Sequence, residues 1–444
     1  MRILIVVHGF PPSHSAGAER QAERTALWLA RNGHEVEVFT AESVSQPGFE
    51  MRTDEQDGLI VHRISYDVKE SNDPFRKLYD NPQVGDALRQ LLNERHFDLV
   101  HLVSGYLFGG QVIHTVQNAG IPLVITLTEY WFMCTRLNLI QATGGLCSGP
   151  ENDEKCMRCL MEDKRRYRLP AQSAPVLMDA FWSVAQYLPF ATEMTHAVSE
   201  RRNVLHHALD AADLVVSPSR YLINKFAEFG YDTSRYLFIR QGLTTPLGSK
   251  PEHAPRRSDD DNRLRLGYIG QIKYHKGIDL ILDAVIRLTE SGYTVSLDLW
   301  GSETEDPEYV ASMKERSAPY ANIHWNGRYV GAKVWDVLAG LDALLVPSRW
   351  YENSPTVILE AYEMGLPVIA TNLGGMAELV EHDRSGLVFT LNSVDDLQHQ
   401  LLRLLTEPDL LDRLRSGIPH VKTIEEEMHE LMNAYHQLLA KSVH

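Results

Sequence analysis

The sequence predicts an α/β protein of two doubly wound parallel-sheet domains, and three features carry that expectation. Short β-branched runs alternate with helical spacings along almost the whole chain, the pattern of βαβ units and hence of parallel sheets. The alternation breaks at a stretch rich in Pro and Asp over 246–262 and then restarts. At 444 residues the chain is also too long for one ordinary domain.

The first unit opens with a strand over Arg2–His8 and a loop rich in Gly, Pro and Ser. Glu19–Asn32 follows, with Ala22, Ala26, Leu29 and Ala30 at helical spacing. Gly33 suits the helix end, and Glu35–Thr40 alternates like a strand. Further strands are expected at Leu99–Leu102, Val124–Leu127, Leu214–Ser217 and Phe238–Arg240. After the linker the pattern resumes with a strand at Arg263–Ile269, a Gly-Lys loop and a helix over Ile278–Ser291. Val295–Trp300, Ile323–Trp325, Ala343–Val346 and Val368–Ala370 complete that sheet. The expected division is therefore 1–245, a linker at 246–262, a second domain over 263–422, and a last helix within 423–444. Thr423 and Glu426 have capping-box spacing at the start of that helix, which either closes the second domain or crosses back to the first. Ligands of such sheets bind beyond the carboxyl ends of the strands.

Composition narrows the function. Hydrophobic residues make up 44% and charged residues 23%, as in a globular protein with real cores. Lys and Arg total 43 against 59 Asp and Glu, a formal net charge of -16, which argues against a general nucleic-acid partner. No window reaches the roughly 18 apolar residues of a spanning helix. The opening MRILIVVHGF reads as a strand rather than an export signal, so a cytoplasmic protein is expected.

The densest chemical signal is Ser348–Gly375, SRWYENSPTVILEAYEMGLPVIATNLGG. Ser354 is a good N-cap and Pro355 suits the first helical position. The amides of Thr356, Val357 and Ile358 would then open a helix N-terminus, a ready site for a diphosphate. Glu352 and Asn353 stand just before it, and Glu360 lies about a turn inside. An anion cradle flanked by two carboxylates suits a diphosphate held between two polyols. Two isolated glutamates would more often be a cap and a solvated helix residue, so the surrounding string matters.

That string resembles the E-x7-E segment of glycosyltransferase family 4, together with Gly365-Leu366-Pro367-Val368-Ile369-Ala370 and Gly374-Gly375. The resemblance implies the two-domain GT-B fold, a nucleoside diphosphate sugar donor, retention at the anomeric carbon and no catalytic metal. It puts Glu352 near the donor sugar and Glu360 near the ribose. Gly270-Gln-Ile-Lys-Tyr-His-Lys-Gly277 is similar to the family's Gly-Arg…Lys-Gly loop and implies that Lys276 contacts the donor phosphates. Gln271 stands where the family often has arginine, and Lys273 is the neighbouring source of charge. Phe10-Pro-Pro through Ala16-Gly17-Ala18-Glu19 resembles the family's first-domain glycine loop, which brings the Gly17 amide toward the donor. Asn322–Tyr329 resembles the segment lining the base pocket, and so implicates Arg328 and Tyr329. The family's His-Asp or His-Glu pair after the strand at Val124–Leu127 is here Thr128 and Glu129. Those two, with His196 or His101 as a substitute imidazole, are the acceptor-side candidates.

The expected reaction is transfer of a sugar to a hydroxyl of a glycan, lipid-linked or small-molecule acceptor. The rivals are an epimerase or phosphorylase of similar shape and a non-catalytic nucleotide-sugar-binding protein. The sequence leaves base, sugar, acceptor and oligomeric state open.

All four cysteines, Cys134, Cys147, Cys156 and Cys159, fall within an expected insertion over about 134–160. C-x12-C-x8-C-x2-C suits a structural Zn²⁺, with metal-free thiols or an iron–sulfur cluster as alternatives. The string around them resembles a cysteine-containing insertion found in part of the family. The basic run Lys164, Arg165, Arg166 and Arg168 precedes the apolar stretch Val176–Phe190. Its plainer reading is a solvated charge run ahead of a buried helix; the other is peripheral contact with anionic lipid.

Overall fold

The computed structural model describes residues 1–14, 16–244, 263–328 and 334–442, arranged as two compact units. The first contains Met1–Ile239 and the chain from Met428 onward; the second is Arg240–Glu427. The division thus falls ahead of the expected linker, and residues 246–262 lie outside the described residues.

In the first unit the strands are β1 (Arg2–Val7), β2 (Glu35–Ser43), β3 (Ser45–Gln56), β4 (Leu59–Asp67), β5 (Leu99–Val103), β6 (Leu123–Thr126), β7 (Leu214–Ser217) and β8 (Tyr236–Phe238). They form one sheet in the order β3-β4-β2-β1-β5-β6-β7-β8. Every neighbouring pair is parallel except β3 and β4. Ile3–Val7 is wholly buried, because helices cover both faces of a parallel sheet and leave no polar side for alternation. The strand order reverses between β1 and β5, so the loops leaving those strands border the crevice where such sheets bind ligands.

The hairpin of β3 and β4 is absent from the expected strands. The reason is visible in β3, SQPGFEMRTDEQ, whose side chains are mostly exposed and polar. A local signal exists at Asp57-Gly58, where both residues have positive φ (52° and 81°). That is the backbone of a two-residue hairpin turn.

The last helix, Ile424–Ser442, begins with the expected capping box. The Glu426 amide donates to Thr423 Oγ1 (3.2 Å) and the Thr423 amide to Glu426 Oε2 (2.7 Å). Its later turns belong to the first unit. There Tyr435 is fully buried and bonds His101 on β5 (2.6 Å).

The second unit carries β9 (Leu264–Ile269), β10 (Val295–Trp300), β11 (Ile323–Gly327), β12 (Ala343–Val346), β13 (Val368–Thr371) and β14 (Gly386–Phe389). All pair in parallel in the order β11-β10-β9-β12-β13-β14. The helix Ile278–Glu290 buries Ile278, Ile281, Leu282, Val285 and Leu288 against this sheet, a stripe with the period of an α-helix. The order reverses between β9 and β12. Here too the strand-end loops at the reversal border the crevice.

Candidate functional site

Lys276 follows β9 and Glu352 follows β12, the two strands flanking the reversal in the second sheet. Their side chains meet: Lys276 Nζ lies 2.5 Å from Glu352 Oε1. The same oxygen accepts from Ser348 Oγ (2.9 Å) and Trp350 Nε1 (2.8 Å). Lys276 also stands over the Trp350 ring, 5.1 Å from its centroid. One carboxylate oxygen is therefore fixed by three donors, and the other accepts no hydrogen bond among the described residues. Sequence reasoning did not single out Ser348 and Trp350, although both lie in the string that identified Glu352.

Close backbone contacts hold the two loops in place. Gly277 has φ +76°, and a Cβ there would fall 2.1 Å from the Pro347 carbonyl, so only glycine fits without a shift. The Arg349 amide donates to the His275 carbonyl (2.8 Å) and Arg349 Nη1 to that of Tyr274 (3.0 Å). The Arg349 guanidinium grips Asp279 through two bonds of 2.6 Å. Burial acts to raise the Asp279 carboxyl, but Arg349 and Tyr309 outweigh it and hold it below its ordinary value. Burial, with Lys276 adding to it, lowers His275 to about 4, so its ring is neutral at ordinary pH. Behind Glu352, the Gly375 amide donates to the Glu352 carbonyl (2.7 Å).

The helix after Glu352 begins one residue later than expected. It spans Thr356–Glu363, with Pro355 at the cap position and no side-chain cap. Ser354 is not the cap; its Oγ is buried without a hydrogen-bond partner. Only the Ile358 amide turns back, to the Pro355 carbonyl (3.0 Å). The amides of Thr356 and Val357 are left without an acceptor among the described residues, as at any uncapped helix start. Asn353 is buried before this helix and Glu360 half-buried within it. Gln271 donates to Glu305 (3.3 Å), and Lys273 pairs with the same carboxylate (2.6 Å), so Lys273 is already neutralised. Arg328 is exposed just past β11. Tyr329 lies outside the described residues.

In the first unit, Gly17 starts the helix Gly17–Arg31, and no atom lies within 4 Å of where its Cβ would be. Thr128 and Glu129 follow β6, and the Thr128 hydroxyl donates to Glu129. Ser104, just past β5, donates to the other Glu129 oxygen (2.9 Å). Burial pushes the Glu129 carboxyl above the ordinary range, against the pull of Thr128, His8 and Ser104.

The proposed substitute histidines do not join this group. His196 is exposed on the helix Pro189–Asp210. His101 is a core residue, bonded to Thr126 (2.7 Å) and Tyr435, and burial lowers it to about 3. The imidazole that is present is one the sequence reading passed over. His8, after β1, pairs with Glu19 (3.3 Å) and packs edge-on against Tyr106 (5.0 Å). Its Nδ1 is buried without a partner. The signal was a histidine directly at the end of the first strand.

The four cysteines line one cavity of about 400 Å³, with Arg158, Lys155 and Glu162 also in its wall. Cys156 and Cys159 lie one turn apart on the helix Asp153–Glu162. Burial pushes Cys156 up to about 12 and Cys159 up to about 11, and raises Cys134 too. In this arrangement Cys134, Cys156 and Cys159 are thiols. Among the described residues no three His, Cys, Asp or Glu side chains form a group able to hold a metal ion. The expected zinc ligand set is thus gathered around one space without being closed.

A sheet in this order, with a lysine and a glutamate joined at its reversal, has the architecture of a doubly wound α/β unit. The family models are more specific. Residues 16–242, half of the chain, match the glycosyl transferase 4-like domain, and 263–407 match glycosyl transferases group 1; the chain belongs to this glycosyltransferase family. It is 31% identical over 139 residues to a glycogen synthase of Thermus thermophilus, 31% of each chain. The match thus spans about a third of that relative's length. A GDP-mannose-dependent alpha-mannosyltransferase of Mycobacterium tuberculosis is 23% identical over 403 residues, 90% of this chain and 86% of that protein. Among solved structures, Anabaena Alr3699/HepE in complex with UDP matches with a TM-score of 0.66 at 15% identity, covering 98% of this chain and all of that one. These likenesses establish the GT-B fold.

Proposed function

We propose that the chain is a retaining glycosyltransferase of family 4, moving a sugar from a nucleoside diphosphate sugar to an acceptor hydroxyl. The observation that carries this reading is the Lys276–Glu352 pair beside an uncapped helix start. The free amides of Thr356 and Val357 and the orphaned Ser354 hydroxyl offer three donors to a pyrophosphate. Lys276, released from Glu352, would offset charge building on the leaving diphosphate. Glu352, still held by Ser348 and Trp350, would orient the sugar hydroxyls, and Glu360 the ribose. Gln271, Arg328, Asn353 and Pro355 complete the proposed donor side. In the first unit Gly17 belongs with the donor, and Thr128 and Glu129 with an acceptor drawn from glycans, lipid-linked sugars or small molecules. The GDP-mannose in the name of one relative, and the UDP held by a structural neighbour, support the diphosphate and leave base and sugar open.

The test is a thermal-shift screen of nucleoside diphosphates and nucleotide sugars, since a ligand at a hundred times its Kd stabilises by about 2.7 kcal/mol. The stabilising donor is then offered with hydroxyl acceptors, and the anomeric configuration of the product is read by NMR. A donor shift that survives Lys276→Ala and Thr356→Pro unchanged would remove this site. Tight donor binding without turnover on any acceptor would select a non-catalytic binding protein, the reading that Thr128 and the neutralised Lys273 favour.

A structural Zn²⁺ forms the second part of the proposal. It would require the four sulfurs to turn into their shared cavity as thiolates, with Lys155 and Arg201 nearby to balance the charge. Metal analysis of the purified chain decides it. About one zinc per chain, lost in Cys156→Ser, supports the site; four freely titrating thiols and no zinc reject it.

A further inference from the structure

We propose that the helices spanning residues 165–190 form a docking surface for an anionic lipid bilayer. Eight of the twelve exposed large apolar side chains among the described residues fall between Leu169 and Phe190. Val176 and Tyr187 are each 78% exposed and Leu177 72%. Isolated exposed apolar residues need no explanation, but a contiguous group of them marks an interaction site.

The helix Pro175–Ala185 shows why the group exists. Met178, Trp182 and Ala185 point inward, into a small core with Met157, Met161, Ala171 and Val198. Trp182 Nε1 is anchored to Glu162 (2.9 Å). Val176, Leu177, Phe181 and Val184 lie on the opposite side and face solvent. An amphipathic helix would carry polar residues there. A helix apolar on both sides needs cover on both. Among the described residues the chain covers one.

Charge identifies what covers the other. Lys164, Arg165 and Arg166 are exposed and Arg168 is half-buried. Among the described residues none of the four takes part in an ion pair. Arg166 instead lies over the Tyr167 ring (4.7 Å), and that ring stacks with Phe181. A cationic strip thus adjoins an apolar aromatic face in a chain whose formal net charge is -16. The nearby Asp163 and Asp179 are already paired, with Arg136 and Arg158. Unpaired cations beside exposed aliphatic and aromatic side chains match an anionic headgroup layer over acyl chains. A second copy meeting this same face about a two-fold axis would bring like charge against like charge. The surface supports contact with one leaflet, since no described helix is long and apolar enough to cross a membrane.

Flotation of the full chain with vesicles tests this. The chain should float with vesicles of phosphatidylglycerol and phosphatidylcholine, and far less with phosphatidylcholine alone. Arg165→Ala with Arg166→Ala should lower partitioning by roughly thirtyfold, and added salt should act in the same direction. Leu177→Glu, at an exposed position, should abolish flotation while leaving the melting temperature unchanged. Failure to float with anionic vesicles overturns the proposal. So does flotation indifferent to Leu177→Glu, or sedimentation showing a dimer that this substitution dissolves without any vesicle binding.

Discussion

Replacing Gly375 with alanine should cripple turnover while leaving the second unit folded. A Cβ at this position would lie 1.8 Å from the Asn353 carbonyl oxygen and 2.7 Å from that of Glu352, both backbone atoms. Ordinary contact begins near 3.4 Å, so the Asn353 segment would have to retreat by about 1.6 Å. The bond from the Gly375 amide to the Glu352 carbonyl (2.7 Å) lies in the path of that retreat. The Glu352 carboxylate would move with its backbone, away from Ser348, Trp350 and Lys276. A misplacement of about 1 Å can cost roughly 10² in rate. Overpacking of this kind costs about 1–3 kcal/mol, which for a domain of this size lowers Tm by several degrees at about 2–4 °C per kcal/mol. The assay is steady-state transfer from the donor found by thermal shift, with circular dichroism to verify folding. Gly340→Ala is the control, since its nearest neighbour is the Val337 carbonyl at an ordinary 3.5 Å. A folded Gly375→Ala protein with turnover within about threefold of the parent would refute the reasoning.

Glu352→Gln and Lys276→Ala should each lower kcat by on the order of 10² to 10³, the cost of one transition-state contact; unchanged rates in both would defeat the assignment. Asp279→Asn leaves the half-buried Arg349 without its carboxylate and should destabilise the second unit by about 3 kcal/mol, measurable as a lowered denaturant midpoint. His101 is lowered from 6.5 to about 3, so below its unfolded value the unfolded chain binds a proton that the folded chain refuses. Its burial therefore costs stability as pH falls, by about 1.4 kcal/mol per unit between pH 6 and 4. Relative to a folded His101→Asn protein, urea denaturation should show that extra slope, and identical slopes would argue against a buried neutral ring. His8→Ala should lower turnover more than Thr128→Ala, because His8 is the imidazole that reaches Glu19 and the electrostatic surroundings of Glu129; equal effects would return the acceptor side to Thr128.

The parallel sheets were legible because a strand buried on both faces must be apolar throughout, as Ile3–Val7 and Leu344–Val346 are. β3 was not, since an exposed edge strand has no face to keep apolar. The Lys276–Glu352 neighbourhood was legible as a motif, but its local detail was not. Ser354 has the chemistry of a cap and Pro355 that of a first helical residue, yet the helix begins at Thr356. Gly374-Gly375 packs against Tyr351–Asn353 from behind, a tertiary contact that overrides the local preference. His101 and His8 show the same limit from another side. Both follow or occupy strands at the reversal of the first sheet. Only packing separates the one sealed by Tyr435 from the one left with an unpartnered nitrogen.

Each sheet also stores backbone conformations of low intrinsic preference at its reversal. In the second, Gly277 (φ +76°) and Gly374 (φ +57°) lie on either side of the Lys276–Glu352 pair. In the first, Ser104 (φ +66°) and Leu107 (φ +64°) follow β5, and neither has glycine's freedom there. Residues held in such conformations cost of order 1–3 kcal/mol each and persist where the surroundings fix them. Ser104 is fixed by its bonds to Glu129 and the Tyr106 amide. A sequence that accepts serine where glycine would relax the chain keeps the hydroxyl for what it touches. That hydroxyl holds one oxygen of Glu129 while Thr128 holds the other, so the carboxylate's position is set by both strand ends together. The strained backbone at Ser104 and the loop after β6 thus converge on one carboxyl group, that of Glu129.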